Sequence, residues 1–321
     1  MIKALTVKEE KNLAKYIGKR IAYAIVTLFV LSLLTFFMMR ALPGDPFIGE
    51  RALPEATMNA LKAKYGLDKP VMEQFFMYIG NALHGDFGVS MSFEGREIAD
   101  IIGEAFPYSF DLGIRSLIFA TVMGILLGTL AAVKRGSAWD TISMLIAIIG
   151  VSIPSFLIGA LLQYVLGVEL RLFPVTGWKE FQHKLLPSFA LSFSSIATIS
   201  RLMRTSMLDV LGQDYIKTAK SKGLSQSKII WKHAVRNAIM PVITVLGPIA
   251  AGVLTGTFVI ENLFAIPGLG KMFVLGVQQQ DYTLISGTTL FYGAFLIIAC
   301  LIVDLLYGFI DPRVKLTGGK E

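Results

Sequence analysis

Charge is scarce in this 321-residue chain: Asp, Glu, Lys and Arg make up 17% of it, against about 25% in soluble domains. A fully solvated surface is excluded over much of its length. The single cysteine, Cys300, rules out an intrachain disulfide and a cysteine-built metal cluster; it sits in an apolar run and reads as a small core residue. The histidines, His84, His183 and His233, stand far apart, so no metal centre is expected. No phosphate-binding Gly-x-x-x-x-Gly-Lys-Ser/Thr pattern occurs. The nearest string, Gly268-Leu269-Gly270-Lys271-Met272, lacks the hydroxyl that holds magnesium. Neither a Ser/His/Asp set nor His-Glu-x-x-His is recognisable. The chain is expected to carry no catalytic machinery and no cofactor of its own.

What the chain has instead is length without charge, with 54% of its residues hydrophobic. A helix needs about 20 apolar residues to cross the hydrocarbon. Six uncharged runs approach or exceed that: Ile21–Met39, Ser116–Val133, Thr141–Val168, Leu185–Ser200, Asn237–Ile260 and Tyr282–Val303. An all-α integral membrane protein follows, with spans at 21–40, 108–133, 140–167, 185–202, 237–260 and 282–307. The fourth run is short and is extended past Arg201, whose long stem can reach the interface. The first run is too long for a signal-peptide core, and Leu42-Pro43-Gly44-Asp45 is a poor cleavage site; a retained helix is expected.

Orientation follows from the connections. The amino-terminal segment 1–20, residues 134–140, the stretch 201–236 and the tail 308–321 carry 19 Lys+Arg against 7 Asp+Glu. Residues 41–107, 169–184 and 261–281 carry 9 against 14. The basic set is expected to face the cytoplasm, with both termini inside and the chain multi-pass in the cell membrane. The net charge of +7 is accounted for by these flanks, and no nucleic-acid partner is expected. The outer segment 41–107 is long enough for an exposed cap, and Gln74-Phe75-Phe76-Met77-Tyr78-Ile79 has the pattern of a helix lying on the membrane surface.

An ion-coupled carrier needs ionisable groups at mid-membrane. The six runs contain none. Asp111, Arg115 and Asp304 lie near run ends, and Asp111 and Arg115, four apart on a helix, can pair with each other. A carrier remains the rival from another class; it would work alone and without ATP. Inside the helices, Gly124 with Gly128 and Gly252 with Gly256 form Gly-x-x-x-Gly pairs that permit close helix approach. Pro154 and Gly247-Pro248 predict kinks.

The inner loop 203–236 carries the most information. It reads Asp214-Tyr215-Ile216-Lys217-Thr218-Ala219-Lys220-Ser221-Lys222-Gly223-Leu224-Ser225, then Trp231 to Asn237 and Met240-Pro241. A short helix, a glycine break and a helix returning to the membrane give an exposed knob. The alternative is a solvated basic loop drawn to anionic lipid. Residues 214–241 resemble the EAA loop of importer permeases of the ATP-binding-cassette class, within the peptide and nickel branch. Lys217-Thr218-Ala219 replaces the usual Glu-Ala-Ala, and Gly223 matches the loop glycine. Further matches are Leu42-Pro43-Gly44-Asp45-Pro46, Tyr65-Gly66-Leu67-Asp68-Lys69-Pro70, His84-Gly85-Asp86-Phe87-Gly88 and Leu172-Phe173-Pro174-Val175-Thr176-Gly177. Ile266-Pro267-Gly268-Leu269-Gly270, Asp281-Tyr282, Asp304-Leu305-Leu306-Tyr307 and Asp311-Pro312-Arg313-Val314 complete the set. The long outer segment is similar to that of the "B" permease of oligopeptide importers.

The resemblance implies the six-helix type I importer permease fold. It implies a second, homologous permease, two cytoplasmic ATPase subunits that bind the ATP and magnesium, and an external peptide-binding protein. Asp214, Tyr215, Ile216, Thr218, Ala219, Lys220, Gly223 and Leu224 would form the ATPase-coupling element. Oligopeptides are the implied cargo, with dipeptide, glutathione or nickel import as alternatives within the branch.

Overall fold

In the computed structural model, residues 7–41, 55–255 and 258–310 are described. Leu42-Pro43-Gly44-Asp45-Pro46, Gly256 and Asp311-Pro312-Arg313-Val314 lie outside them. Among the described residues the structure is helical, with one isolated bridge, Val89 to Glu97. The helices are α1 (Val7–Ala41), α2 (Glu55–Lys64), α3 (Val71–Leu83), α4 (Ile98–Val133), α5 (Ala138–Ser152), α6 (Ser155–Glu169) and α7 (Phe181–Leu211). They continue as α8 (Asp214–Ser221), α9 (Gln226–Ala238), α10 (Met240–Thr255), α11 (Phe258–Leu263), α12 (Leu269–Gln278) and α13 (Tyr282–Ile310). Among the described residues four unbroken stretches are long and apolar enough to cross a membrane: Gly18–Ala41, Ile98–Val133, Phe181–Leu211 and Tyr282–Ile302. Two bent pairs, α5 with α6 and α9 with α10, bring the number to six if each is one span. Several helices overrun the charge-bounded segments: α4 begins ten residues before 108, and α7 continues past Arg201 to Leu211.

The chain folds as two compact units. The first combines residues up to Phe106 with those from Lys271 onward. In it α1 runs beside α13, and a methyl at Gly293 would overlap Leu31. Helix α3 lies on α1 through Phe75, fully buried, its ring edge-on to Phe36 at 5.4 Å and Phe29 at 5.8 Å. Such edge-to-face pairs are favoured by the ring quadrupole. Asp281 is the fastener of this unit. Fully buried, it accepts the Ser90 hydroxyl, the Met91 and Ser92 amides at 3.0 Å each, and the Leu284 amide at 2.9 Å. It thus caps α13 and ties down the loop after His84–Gly88.

The second unit, Pro107–Gly270, is built on α7. This stretch has the lowest mean hydropathy of the four, 1.3, and the largest buried share, 56%. Both follow from its serines: Ser188, Ser192 and Ser200 are buried, and small residues let neighbouring backbones come close. Gly124 and Gly128 of α4 meet it directly. A Cβ at Gly124 would stand 2.6 Å from Ile199 Cβ, and one at Gly128 2.7 Å from Met203 Cβ. Gly150 of α5 meets Ala197 in the same way, at 2.7 Å. Asp140, at the start of α5, accepts two bonds from Arg204 of α7, 2.6 and 2.8 Å, and the Gly136 amide at 3.0 Å.

Pro154 stands at the break between α5 and α6, where the axis turns by 111°. Proline has no amide to give the helix and drives the preceding residue extended; Ile153 has φ −101° and ψ 126°. Gly247 and Pro248 behave differently. Gly247 is buried, Pro248 exposed, and α10 runs unbroken through both. The bend of that pair, 56°, falls at Ile239. A Cβ at Gly252 would meet no atom within 4 Å.

Candidate functional site

The segment after α7 rises from a turn at Gly212-Gln213 into α8. Its sequence makes the helix amphipathic. Ile216 and Ala219, three apart, share a face and are buried at 0% and 6% exposure. Asp214, Tyr215, Thr218 and Lys220 point outward. Asp214 lies at the amino end, where the helix dipole favours an acid, and Lys220 in the last turn, where it favours a base. Lys217 pairs with Asp214 at 2.8 Å, but both are exposed, so the pair contributes little.

Gly223 ends the helix with φ +74°. Its amide donates to Lys220 O at 2.9 Å, and the Leu224 amide to Ala219 O at 3.3 Å. These are the two crossed bonds of a glycine-terminated helix, and Leu224 folds back toward the buried face. A Cβ here would meet no atom within 4 Å; only the backbone conformation demands glycine. The chain re-enters through α9, whose residues Ile229–Val235 wind as a π-helix. That local widening is common at functional sites. It turns Ile229, Ala234 and Val235 inward and leaves Trp231 exposed at 49%.

The inward residues belong to one apolar cluster. Ile216, Ala219, Ile229, Ala234, Val235 and Ala238 join Met203 and Met207 of α7 and Ala132 of α4, with Leu224 packed against them. The knob is therefore a rigid part of the second unit. Its outer surface offers two exposed aromatics, Tyr215 at 43% and Trp231, among Lys217, Lys220, Lys222, Lys228, Lys232 and Arg236, all exposed. Exposed aromatics ringed by polar side chains are the composition of a protein-docking surface. Nothing in the segment has the geometry of a catalytic group.

Of the sequence-derived positions, Asp214 to Leu224 come together on this knob, and Gly124 and Gly128 support its base through α7. Pro154, Gly247, Pro248 and Gly252 lie elsewhere in the unit. The Asp111–Arg115 pair forms, at 2.7 Å, and Lys184 joins it at 3.0 Å from the other carboxylate oxygen. Sequence reasoning missed Asp140 with Arg204, and also Glu261. Glu261 is fully buried and accepts the Gly270 amide at 2.8 Å, while Ser109 Oγ accepts the Leu269 amide at 2.8 Å. The Gly268-Leu269-Gly270 turn is thus held by an acid and a hydroxyl; a methyl at Gly268 would overlap both.

Comparison with known proteins agrees with this architecture. Residues 124–316 match the family described as binding-protein-dependent transport system inner membrane component, and residues 13–113 match its amino-terminal companion. The dipeptide transport system permease protein DppB of Bacillus subtilis (strain 168) is 46% identical over 304 residues, covering 95% of this chain and 99% of that protein. The oligopeptide transport system permease protein OppB of Haemophilus influenzae is 43% identical over 303 residues, covering 94% and 99%. Among solved structures, an amino acid ABC transporter aligns with TM-score 0.50 at 12% identity, over 67% of this chain and 94% of that one. The MetNI methionine ABC transporter in inward-facing conformations aligns with TM-score 0.50 at 15% identity, over 68% and 96%; these two likenesses show the fold. An all-helical bundle with polytopic spans, a rigid knob after α7 and matches over nearly its whole length identifies the chain as a member of the binding-protein-dependent transport system inner membrane components.

Proposed function

We propose that the chain forms half of the translocation path of an ATP-driven peptide importer and that the 214–236 knob is its handle. The observation that carries this is a helix fixed on its inner face by Ile216 and Ala219 and ended firmly at Gly223, with Tyr215 and Trp231 left bare. A rigid helix seated in a partner's cleft transmits a displacement; a loose basic loop would not. The names of the relatives, dipeptide and oligopeptide permeases, favour peptides as cargo. In this reading a homologous permease completes the path. Two cytoplasmic ATPase subunits bind ATP and magnesium and seat the knobs, and an external peptide-binding protein delivers the cargo. The excess of Lys and Arg on the flanks supports a cytoplasmic position for both termini and the knob.

In the assembled complex, Tyr215→Ala and Trp231→Ala are each expected to lower ATPase retention about thirtyfold, since a central aromatic anchor contributes about 2 kcal/mol. Lys220→Glu and Gly223→Pro should weaken it in the same direction, while the thermal transition of the membrane bundle stays in place for Tyr215, Trp231 and Lys220. ATPase co-purifying at wild-type strength with all of these variants would count against the handle. Uphill transport by the purified chain alone, driven by an ion gradient, would favour the carrier instead. The orientation has its own check: protease added to intact spheroplasts should cut within 55–97 and spare 212–228. Cleavage of the second segment alone would reverse it.

A further inference from the structure

The first unit encloses a cavity of about 760 Å³ between the end of α1, the α2–α3 region and the start of α13. That is the size of a small-molecule site. Its lining is divided by charge. On the half-buried side stands Arg40, held between the rings of Phe36 and Tyr282, at 5.2 and 5.5 Å from their centroids, and donating to Gln74 Oε1. Two aromatic faces and an amide fix the cation in place. No carboxylate among the described residues forms an ion pair with it. Tyr78 is also on the lining; its hydroxyl is covered and has no hydrogen-bond partner among the described residues, and a small shift of the ring would bring it to a ligand in the cavity. Burial pushes the phenol's pKa up, so it remains a donor. The exposed side of the lining carries two acids, Asp86 and Glu97, and one cation, Lys69, which is paired with Glu73 at 3.1 Å.

Both inner features are unfavourable as they stand. A half-buried cation prefers a counter-ion, and an unsatisfied buried hydroxyl costs free energy that a bound acceptor would recover. One ligand class answers both, and the outer acids as well. We propose that this cavity is a seat for a zwitterionic solute, a short peptide, with its carboxylate on Arg40 and the Tyr78 hydroxyl and its ammonium toward Asp86 and Glu97. The oxyanion chemistry is shared by a zwitterionic lipid headgroup, phosphatidylethanolamine. The peptide identity rests on the cargo reading above, whereas the seat does not, and no residue of the 214–241 segment takes part.

The test uses the full chain in phosphatidylcholine nanodiscs with radiolabelled trialanine, its carboxyl-terminal amide and its N-acetyl form. Trialanine should bind saturably, the amide about tenfold or more weakly, and the N-acetyl form severalfold more weakly. Arg40→Met should abolish binding. Tyr78→Phe should weaken it about fivefold while raising the thermal transition, because the variant removes a hydroxyl unsatisfied in the empty state. Opposite signs on binding and stability would not arise from a merely structural tyrosine. Retention of phosphatidylethanolamine that depends on Arg40 and Tyr78, without peptide binding, would keep the seat and make the lipid its occupant. Equal binding of acid and amide, or unchanged binding in Tyr78→Phe, overturns the assignment, as does the absence of saturable binding of both peptide and lipid. ATPase co-purification is untouched by any of these results, so loss of this site and loss of the handle can be told apart.

Discussion

Leucine at Gly128 is expected to prevent recovery of a folded chain, and alanine there to lower the thermal transition by several degrees. The reason is that the obstacle is backbone. A Cβ at Gly128 would lie 2.7 Å from Met203 Cβ and 3.1 Å from the Arg204 amide nitrogen. A flexible side-chain tip could move aside; helix α7 cannot. The helices must separate by about an ångström, and every contact along the seam weakens together, since dispersion falls steeply over such a gap. Overpacking of this kind costs about 1–3 kcal/mol even for small groups. In a lipid environment no hydrophobic force draws the helices back, so close packing is what holds them. Gly103, on the same helix α4, supplies the control. A Cβ there meets no atom within 4 Å, so Gly103→Ala should be neutral or slightly stabilising through helix propensity alone. Thermal size-exclusion profiles of the three variants, side by side, would decide the matter. Equal behaviour at Gly103 and Gly128 would remove the close seam from the account.

The glycine pair was visible in the sequence, but its partner was not. Helix α7 reads as a short and weak span between Lys184 and Arg201, yet it is the most enclosed of the four unbroken helices. Charge marks a span's end only when the charge must reach water. Here Lys184 meets Asp111, and Arg204 meets Asp140, so two of the helix's cations find partners within the fold, while Arg201 is exposed and α7 continues past it to Leu211. Proline was a sure sign of a break at Pro154, where it also forces Ile153 out of the helix. It was a poor one at Pro248, where the helix continues and the bend appears at Ile239 instead, just after the π-wound stretch. Pro241, with no amide to return to Asn237, stands two residues beyond it at the start of α10 and is the residue that marks that position. The knob's order of helix, glycine and helix was legible because Gly223 requires a positive φ. Which residues it buries was not, because that depends on the π-helical winding of Ile229–Val235. Asp281 and Glu261 looked like ordinary loop acids; their backbone partners become apparent only when distant segments meet.

Arg204→Met should be the most destabilising single change outside the glycine seam. The guanidinium grips Asp140 through two bonds, Nε to Oδ1 at 2.6 Å and Nη2 to Oδ2 at 2.8 Å. The side chains are 24% and 9% exposed. Removing the arginine leaves an enclosed carboxylate with the Gly136 amide as its remaining donor among the described residues, and breaking an enclosed pair from one side costs about 3–5 kcal/mol. In a chain of this size that is a fall of about 5–10 °C in the thermal transition. Asp140→Asn with Arg204→Met removes the stranded charge, so the double variant should recover much of the loss. A cycle of the two singles and the double reads the coupling directly. If the double is no more stable than Arg204→Met alone, the arginine acts through its packing rather than its charge. The functional consequence follows from where the pair sits. Arg204 lies about two turns before the end of α7, and Met203 and Met207 on either side form the floor under Ile216 and Ala219. A helix end released from α5 can no longer hold that floor in one register. The double variant, stable but without the charge pair that ties α5 to α7, should therefore keep its ATPase partners bound while moving less cargo per ATP hydrolysed, whereas Gly103→Ala should leave that ratio alone. An unchanged ratio in the double would mean that the knob keeps its register without the α5 tether.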